Sequence, residues 1–145
     1  MQEPRLRAAS FQPTIVGTRA DIRMSAEERQ MYMEAIENND EISVRRRTHL
    51  HRYFTQFCEN DDYNKRLNDQ QFKREGKFPD GRGGFTTIWT FKAWQWRLYG
   101  AILQVEGKRC FVGVKVDPSK KQNKASPKIL KATAKLIGAL HEYEV

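Results

Sequence analysis

Cysteine is scarce in this chain of 145 residues. Cys58 and Cys110 are the only two, they stand far apart, and each is flanked by apolar neighbours. The CxxC spacing of a zinc site is missing, so both read as small buried hydrophobes rather than as a disulfide or a nucleophile. Histidine is nearly as rare. His49 and His51 fall among Arg45, Arg46, Arg47 and Arg52 and read as exposed polar residues, and His141 falls beyond the last periodic segment. No HExxH, GxSxG or Walker-type loop occurs, and Gly81-Arg82-Gly83-Gly84 lacks the Lys-Ser or Lys-Thr that a phosphate loop needs next. Zinc, serine-nucleophile and nucleoside-triphosphate chemistry therefore have no motif to carry them, and no cofactor is expected. No run of 18 apolar residues is long enough to span a bilayer, and Met1-Gln2-Glu3-Pro4-Arg5 has no apolar signal-peptide core, so a cytoplasmic protein without a membrane partner is expected.

What is abundant is positive charge. Lysine and arginine total 26 against 18 aspartates and glutamates, a formal charge of +8. The excess is one-sided: residues 1–80 hold 14 basic and 14 acidic side chains, whereas residues 81–145 hold 12 basic and 4 acidic. Such a field favours a polyanionic partner, with nucleic acid ahead of an anionic membrane or an acidic protein. The 16 aromatic residues supply enough apolar bulk for one compact core.

Along the chain, residues 1–24 read as an N-terminal arm, with a short strand at Thr14–Val16 able to dock on a sheet edge. Ser25-Ala26-Glu27-Glu28 has the capping-box form and opens a helix to about Asn38. A second helix is expected from about Ile42 to Glu59, with Leu50, Tyr53, Phe54 and Phe57 on one side. Residues 60–84 are polar and turn-rich. Thr86–Phe91, Trp96–Val105 and Arg109–Val116 are rich in β-branched and aromatic residues and predict a three-stranded antiparallel meander. In the last strand, alternation sets Cys110, Val112, Val114 and Val116 on one face and Arg109, Phe111, Gly113, Lys115 and Asp117 on the other. Ser126-Pro127 caps a final helix to about Leu140, with Ile129, Thr133, Leu136, Ile137 and Leu140 on its apolar side and Lys128, Lys131 and Lys135 opposite. The expected architecture is α+β: two N-terminal helices, a three-stranded antiparallel sheet and a C-terminal helix. It divides into an arm (1–24), a domain (25–140) and a tail (141–145).

Two groups of residues suit phosphate. Lys115, Lys120, Lys121, Lys124, Lys128, Lys131 and Lys135 face one acid, Asp117, and binding through such a cluster weakens steeply with salt. Arg97 lies inside an otherwise apolar strand, where it either clamps a phosphate or sits in a structural salt bridge. Trp89, Phe91, Lys92, Trp94, Trp96, Arg97 and Tyr99 interleave rings with charges, readable as core packing or as stacking surfaces for bases.

This order of elements resembles the RelE/HigB-like toxins of bacterial and phage-borne toxin–antitoxin systems. Trp89-Thr90-Phe91-Lys92 leading into Trp96-Arg97-Leu98-Tyr99 is similar to the paired basic strands of that family, and Lys120-Lys121-Gln122-Asn123-Lys124 with Ser126-Pro127-Lys128 to its basic element before the last helix. The resemblance implies a RelE-like fold and a metal-independent endoribonuclease that cuts mRNA at the ribosome, with a cognate antitoxin as protein partner. It makes Arg97, Lys120, Lys121 and Lys124 catalytic, Tyr99 a proton donor or stacking partner, and Lys92, Lys115, Lys128, Lys131 and Lys135 RNA-binding. No His-Tyr pair or glutamate of the kind some relatives carry is matched here, which leaves a lysine of lowered pKa as the base. Two other readings stand beside it: a catalytically silent nucleic-acid-binding protein using the same lysine face, and a basic protein-interaction module.

Overall fold

The computed structural model describes residues 6–119 and 125–144. After a 3-10 turn at Ala8–Ser10 come β1 (Pro13–Val16), β2 (Ala20–Met24), α1 (Ala26–Glu37), α2 (Glu41–Glu59), α3 (Tyr63–Arg66), β3 (Phe72–Pro79), β4 (Phe85–Ala93), β5 (Trp96–Val105), β6 (Lys108–Asp117) and α4 (Pro127–Gly138). The strands form one sheet in the order β1-β2-β6-β5-β4-β3. Neighbours are antiparallel except β2 and β6, which run parallel with Ala20 opposite Arg109 and Met24 opposite Gly113.

The expected architecture is thereby corrected. The chain is α+β, but among the described residues it has a six-stranded mixed sheet and four α-helices rather than three strands and three helices, and the segment read as an arm supplies two of the strands. β2 escaped notice because it is short and carries Asp21 and Arg23, both of which are buried. A buried charge is tolerated when it is paired. Asp21 accepts from the Lys108 ammonium at 2.7 Å and from the Gly17 amide at 3.2 Å, and Arg23 donates to the carbonyls of Ala9 and Phe11 at 3.0 and 2.6 Å. β3 reads as polar because it is an edge strand, with Lys73, Arg74 and Lys77 along it and Pro79 at its end. Charge and proline are what keep an edge from pairing with another chain.

Helices occupy both faces of the sheet. On one face, Leu50, Phe54 and Phe57 of α2 and Tyr32 of α1 pack on Ile22, Phe72, Phe91, Leu98 and Phe111. On the other, Leu130, Ala134 and Ile137 of α4 pack on Ile88, Tyr99, Ala101, Leu103 and Val112. α4 is rotated from its expected setting: Leu130 is buried, whereas Leu136 is 45% exposed. The helix caps are specific. Asp40 accepts from the Ser43 amide at 3.0 Å, and Ser126 from the Lys128 amide at 3.2 Å. Ser25 instead donates its hydroxyl to Glu28 at 2.7 Å, so that capping box forms only in part. Cys58 and Cys110 are free and buried.

Two β-bulges in the meander decide what the α4 face displays. Between β5 and β6 the register shifts at Tyr99/Gly100, so that Tyr99 faces Lys115 while Gly100 faces Gly113. A side chain at Gly100 has no room, since its Cβ would lie 2.0 Å from the Val112 carbonyl oxygen. The extra residue, Val114, reverses the alternation expected for the last strand. Val116 joins Phe111 in the core beneath α2, and Lys115 and Asp117 come to lie beside Tyr99 and Arg97. Between β3 and β4 the shift falls between Arg74 and Gly76, with Glu75 as the extra residue.

Candidate active site

The strand register lines up one row of side chains across four strands. Lys73 faces Thr90, Thr90 faces Tyr99, and Tyr99 faces Lys115. In the next row Lys92 faces Arg97, and Arg97 faces Asp117. Two cations directly opposite each other on neighbouring strands repel, and such a pair is unfavourable unless acids or a ligand offset it. Here the acids are Asp117 and Glu75.

Glu75 is the unexpected member. Its side chain is 7% exposed, its carboxylate accepts from the Thr90 hydroxyl at 3.0 Å, and the Lys73 ammonium stands 4.0 Å away. Burial of a carboxylate is costly without such partners. Arg97 is fixed against the β4–β5 turn, where its Nη1 donates to the carbonyl oxygens of Trp94 and, at 3.1 Å, Trp96. Burial lowers the Arg97 guanidinium from its ordinary value, and Tyr99, Asp117 and Glu75 oppose the shift. Burial also pushes the Lys92 ammonium down, with Glu75 acting against it and Lys73 and Arg97 reinforcing it. The Tyr99 phenol is pushed up to about 12 by burial, helped by Glu75 and Asp117, and so keeps its proton at neutral pH.

Beside this patch opens a cleft of roughly 670 Å³. His49 and Tyr53 of α2 form one wall, the 68–71 loop a second, and Lys73, Lys92, Arg97 and Trp94 the rest. Lys73, Lys92 and Arg97 belong to both the patch and the cleft, whereas Glu75 and Tyr99 do not line the cleft. Trp94 opens the two-residue β4–β5 turn at φ 59° and is 45% exposed. Tight hairpins give such a left-handed position to glycine, and a bulky residue there costs about 1–2 kcal/mol.

The structure thus brings together Arg97, Lys92, Tyr99 and Lys115 of the residues expected from sequence. Lys128, Lys131 and Lys135 are exposed along α4, and Lys135 lies by Gly81 in the β3–β4 turn, at the opposite end of the sheet. Lys120, Lys121 and Lys124 lie outside the described residues. Sequence reasoning missed Glu75, Lys73, Asp69 and the cleft-lining position of His49. The available signal was the pattern Phe72-Lys73-Arg74-Glu75, one apolar residue starting a charged run, which also describes a solvated loop.

Among the described residues no group of three or more histidine, cysteine, aspartate or glutamate side chains is placed to hold a metal ion, and no helix is long and apolar enough to cross a membrane. Comparison of the chain with protein-family models, with curated proteins and with solved structures finds no match.

Proposed function

We propose that the protein is an endoribonuclease whose active site is the patch of Glu75, Lys73, Lys92, Arg97 and Tyr99. One observation carries the reading: a nearly buried carboxylate with the Lys73 ammonium 4.0 Å away and the charges of Lys92 and Arg97 close enough to respond to it. Cleavage of RNA by its own 2′-hydroxyl needs a base for that proton, positive charge for the phosphate as it gains charge, and an acid for the leaving oxygen. Glu75 takes the 2′-hydroxyl proton as O2′ attacks phosphorus. Arg97, Lys92 and Lys73 stabilise the charge on the non-bridging oxygens, and Tyr99 donates a hydrogen bond from its retained proton. As the bond from phosphorus to O5′ breaks, His49 on the cleft side supplies the proton to O5′. The products are a 2′,3′-cyclic phosphate and a 5′-hydroxyl.

The exposed ridge of Lys128, Lys131 and Lys135 extends the positive surface along α4 and suits a long RNA strand. The same proposal takes in mRNA at the ribosome as the substrate and a cognate antitoxin as the protein that covers the cleft. The test is incubation of purified protein with RNA, with and without ribosomes, followed by end-group mapping. Cyclic phosphate ends are expected, and Glu75→Gln is expected to lower the rate by about a hundred- to ten-thousand-fold while salt-sensitive RNA binding persists. RNA left intact under both conditions by the wild type overturns the enzyme and leaves a binding protein.

A further inference from the structure

We propose that the cleft beside the phosphate-binding cations is a subsite for one nucleobase, stacked on Trp94, and that Asp69 selects guanine there. This rests on the reading of the neighbouring patch as an RNA-cleaving site and names what that site recognises.

Trp94 contributes little to the core. Trp96 is 1% exposed and Trp89 lies stacked on Phe72, with ring centroids 4.8 Å apart and planes 13° apart, but Trp94 stands at the cleft in a backbone conformation that suits glycine. A strained and exposed aromatic ring at a cleft wall points to a contact made outside the fold. Its setting is also built. The Arg45 guanidinium, anchored to Glu41 at 2.6 Å, lies over the ring 5.7 Å from its centroid and helps to hold it in place. The carbonyl of Trp94 in turn accepts from Arg97. The stacking ring and the phosphate-binding guanidinium are therefore held to one another, as a base and its own phosphate require. Single-stranded RNA is recognised in this way, by splaying a base onto an aromatic face and reading its edge.

The 68–71 loop supplies the reader. Asn68 spends its side-chain oxygen on the Gln70 amide at 2.9 Å, and Gln71 spends its own on the Asn68 amide at 3.1 Å. The Gln71 carbonyl accepts from the Lys92 amide at 2.9 Å, which ties the loop to β4. The Asp69 carboxylate has no hydrogen-bond partner among the described residues and is the one acid lining the cleft. A carboxylate offers two acceptors side by side. Guanine alone among the four bases presents two adjacent donors on its Watson–Crick edge, the ring N1–H and the amino group; adenine and cytosine set their amino group beside an acceptor nitrogen, and uracil sets its N–H between two carbonyls.

The experiment uses the full chain carrying Glu75→Gln, with guanosine, adenosine, cytidine and uridine 3′-monophosphates as probes and tryptophan emission as the readout. The guanosine nucleotide is expected to quench the emission and to bind about tenfold or more tightly than the other three. Trp94→Gly is expected to abolish the quenching and weaken binding by about 5- to 150-fold. Because glycine relieves the backbone conformation, the same variant is expected to melt about 2–6 °C higher, which separates lost binding from lost fold. Asp69→Asn is expected to keep the quenching and level the base preference. Equal binding of all four nucleotides overturns the guanine assignment. Binding unchanged by Trp94→Gly overturns the subsite. Either failure in a wild-type protein that still cleaves RNA leaves the endoribonuclease standing, whereas guanine-selective binding by a protein that cleaves nothing keeps the subsite and removes the enzyme.

Discussion

Replacing Phe72 by alanine should loosen the edge strand that carries Lys73 and Glu75, and the size of the effect follows from what the ring touches. Phe72 is 3% exposed. It stacks on Phe91 and Trp89 at 4.3 and 4.8 Å and meets Phe57, Phe111 and Tyr63 edge-on or nearly so at 5.6, 5.9 and 6.0 Å. Truncating a buried phenylalanine to alanine costs about 3–5 kcal/mol from lost burial and the cavity left behind. The site lies at the sheet edge next to a loop that can close in, which favours the lower half of that range, about 3–4 kcal/mol. A domain of this size has about 5–15 kcal/mol to lose, so the variant remains folded but softened. Urea denaturation should show a lower midpoint with little change in slope, and hydrogen exchange should quicken in the amides of β3 before those of β5 and β6. Phe72→Leu, which keeps most of the volume, should cost under about 1.5 kcal/mol. A loss below about 1 kcal/mol for Phe72→Ala, or unchanged exchange in β3, refutes the claim that this ring docks the strand.

Two further perturbations test other parts of the molecule. Hydrogen bonds from the Ser43 amide and hydroxyl hold the Asp40 carboxyl below the usual carboxylate range, so its cap stabilises α2 fully above the ordinary carboxylate pKa and is lost as pH falls through the lowered folded value. Asp40→Asn keeps an acceptor but not the charge, and thermal melts should show the gap between wild type and variant narrowing from near pH 7 towards pH 3. In Gly138→Ala the new Cβ would stand 2.0 Å from the Asp80 carbonyl oxygen. Alanine usually stabilises a helix, but here it should destabilise by about 1–3 kcal/mol in a melt, and a more stable variant would show that α4 does not press on the β3–β4 turn.

Helical spacing and capping residues made α1, α2 and α4 readable in the chain, β-branched and aromatic density did the same for β4, β5 and β6, and the short strand expected at Thr14–Val16 is the edge strand β1. The rest was hidden for identifiable reasons. β2 buries charges whose partners, Lys108 and the carbonyls of Ala9 and Phe11, are not its sequence neighbours. β3 is disguised by the charges an edge strand carries. Leu136 and Leu130 exchange roles because the apolar stripe of α4 is wide enough to permit two rotations, and only the sheet beneath it chooses between them. Arg97 and Lys92 could be singled out as charges in apolar strands. Glu75 could not, because its place among them depends on a bulge, and a bulge shifts register without leaving a mark in composition.

The parallel pairing of β2 with β6 has a further consequence for the order of assembly. β2 is synthesised well before β6, its parallel neighbour and the last of the strands among the described residues. Contacts between such distant segments form late and slowly. Until β6 arrives, Ile22 and Met24 lack one flank and Tyr99 and Arg97 lack the strand that bears Lys115 and Asp117. A nascent chain can therefore hold α1, α2 and its early hairpins before the row that runs from Lys73 through Thr90 and Tyr99 to Lys115 is complete.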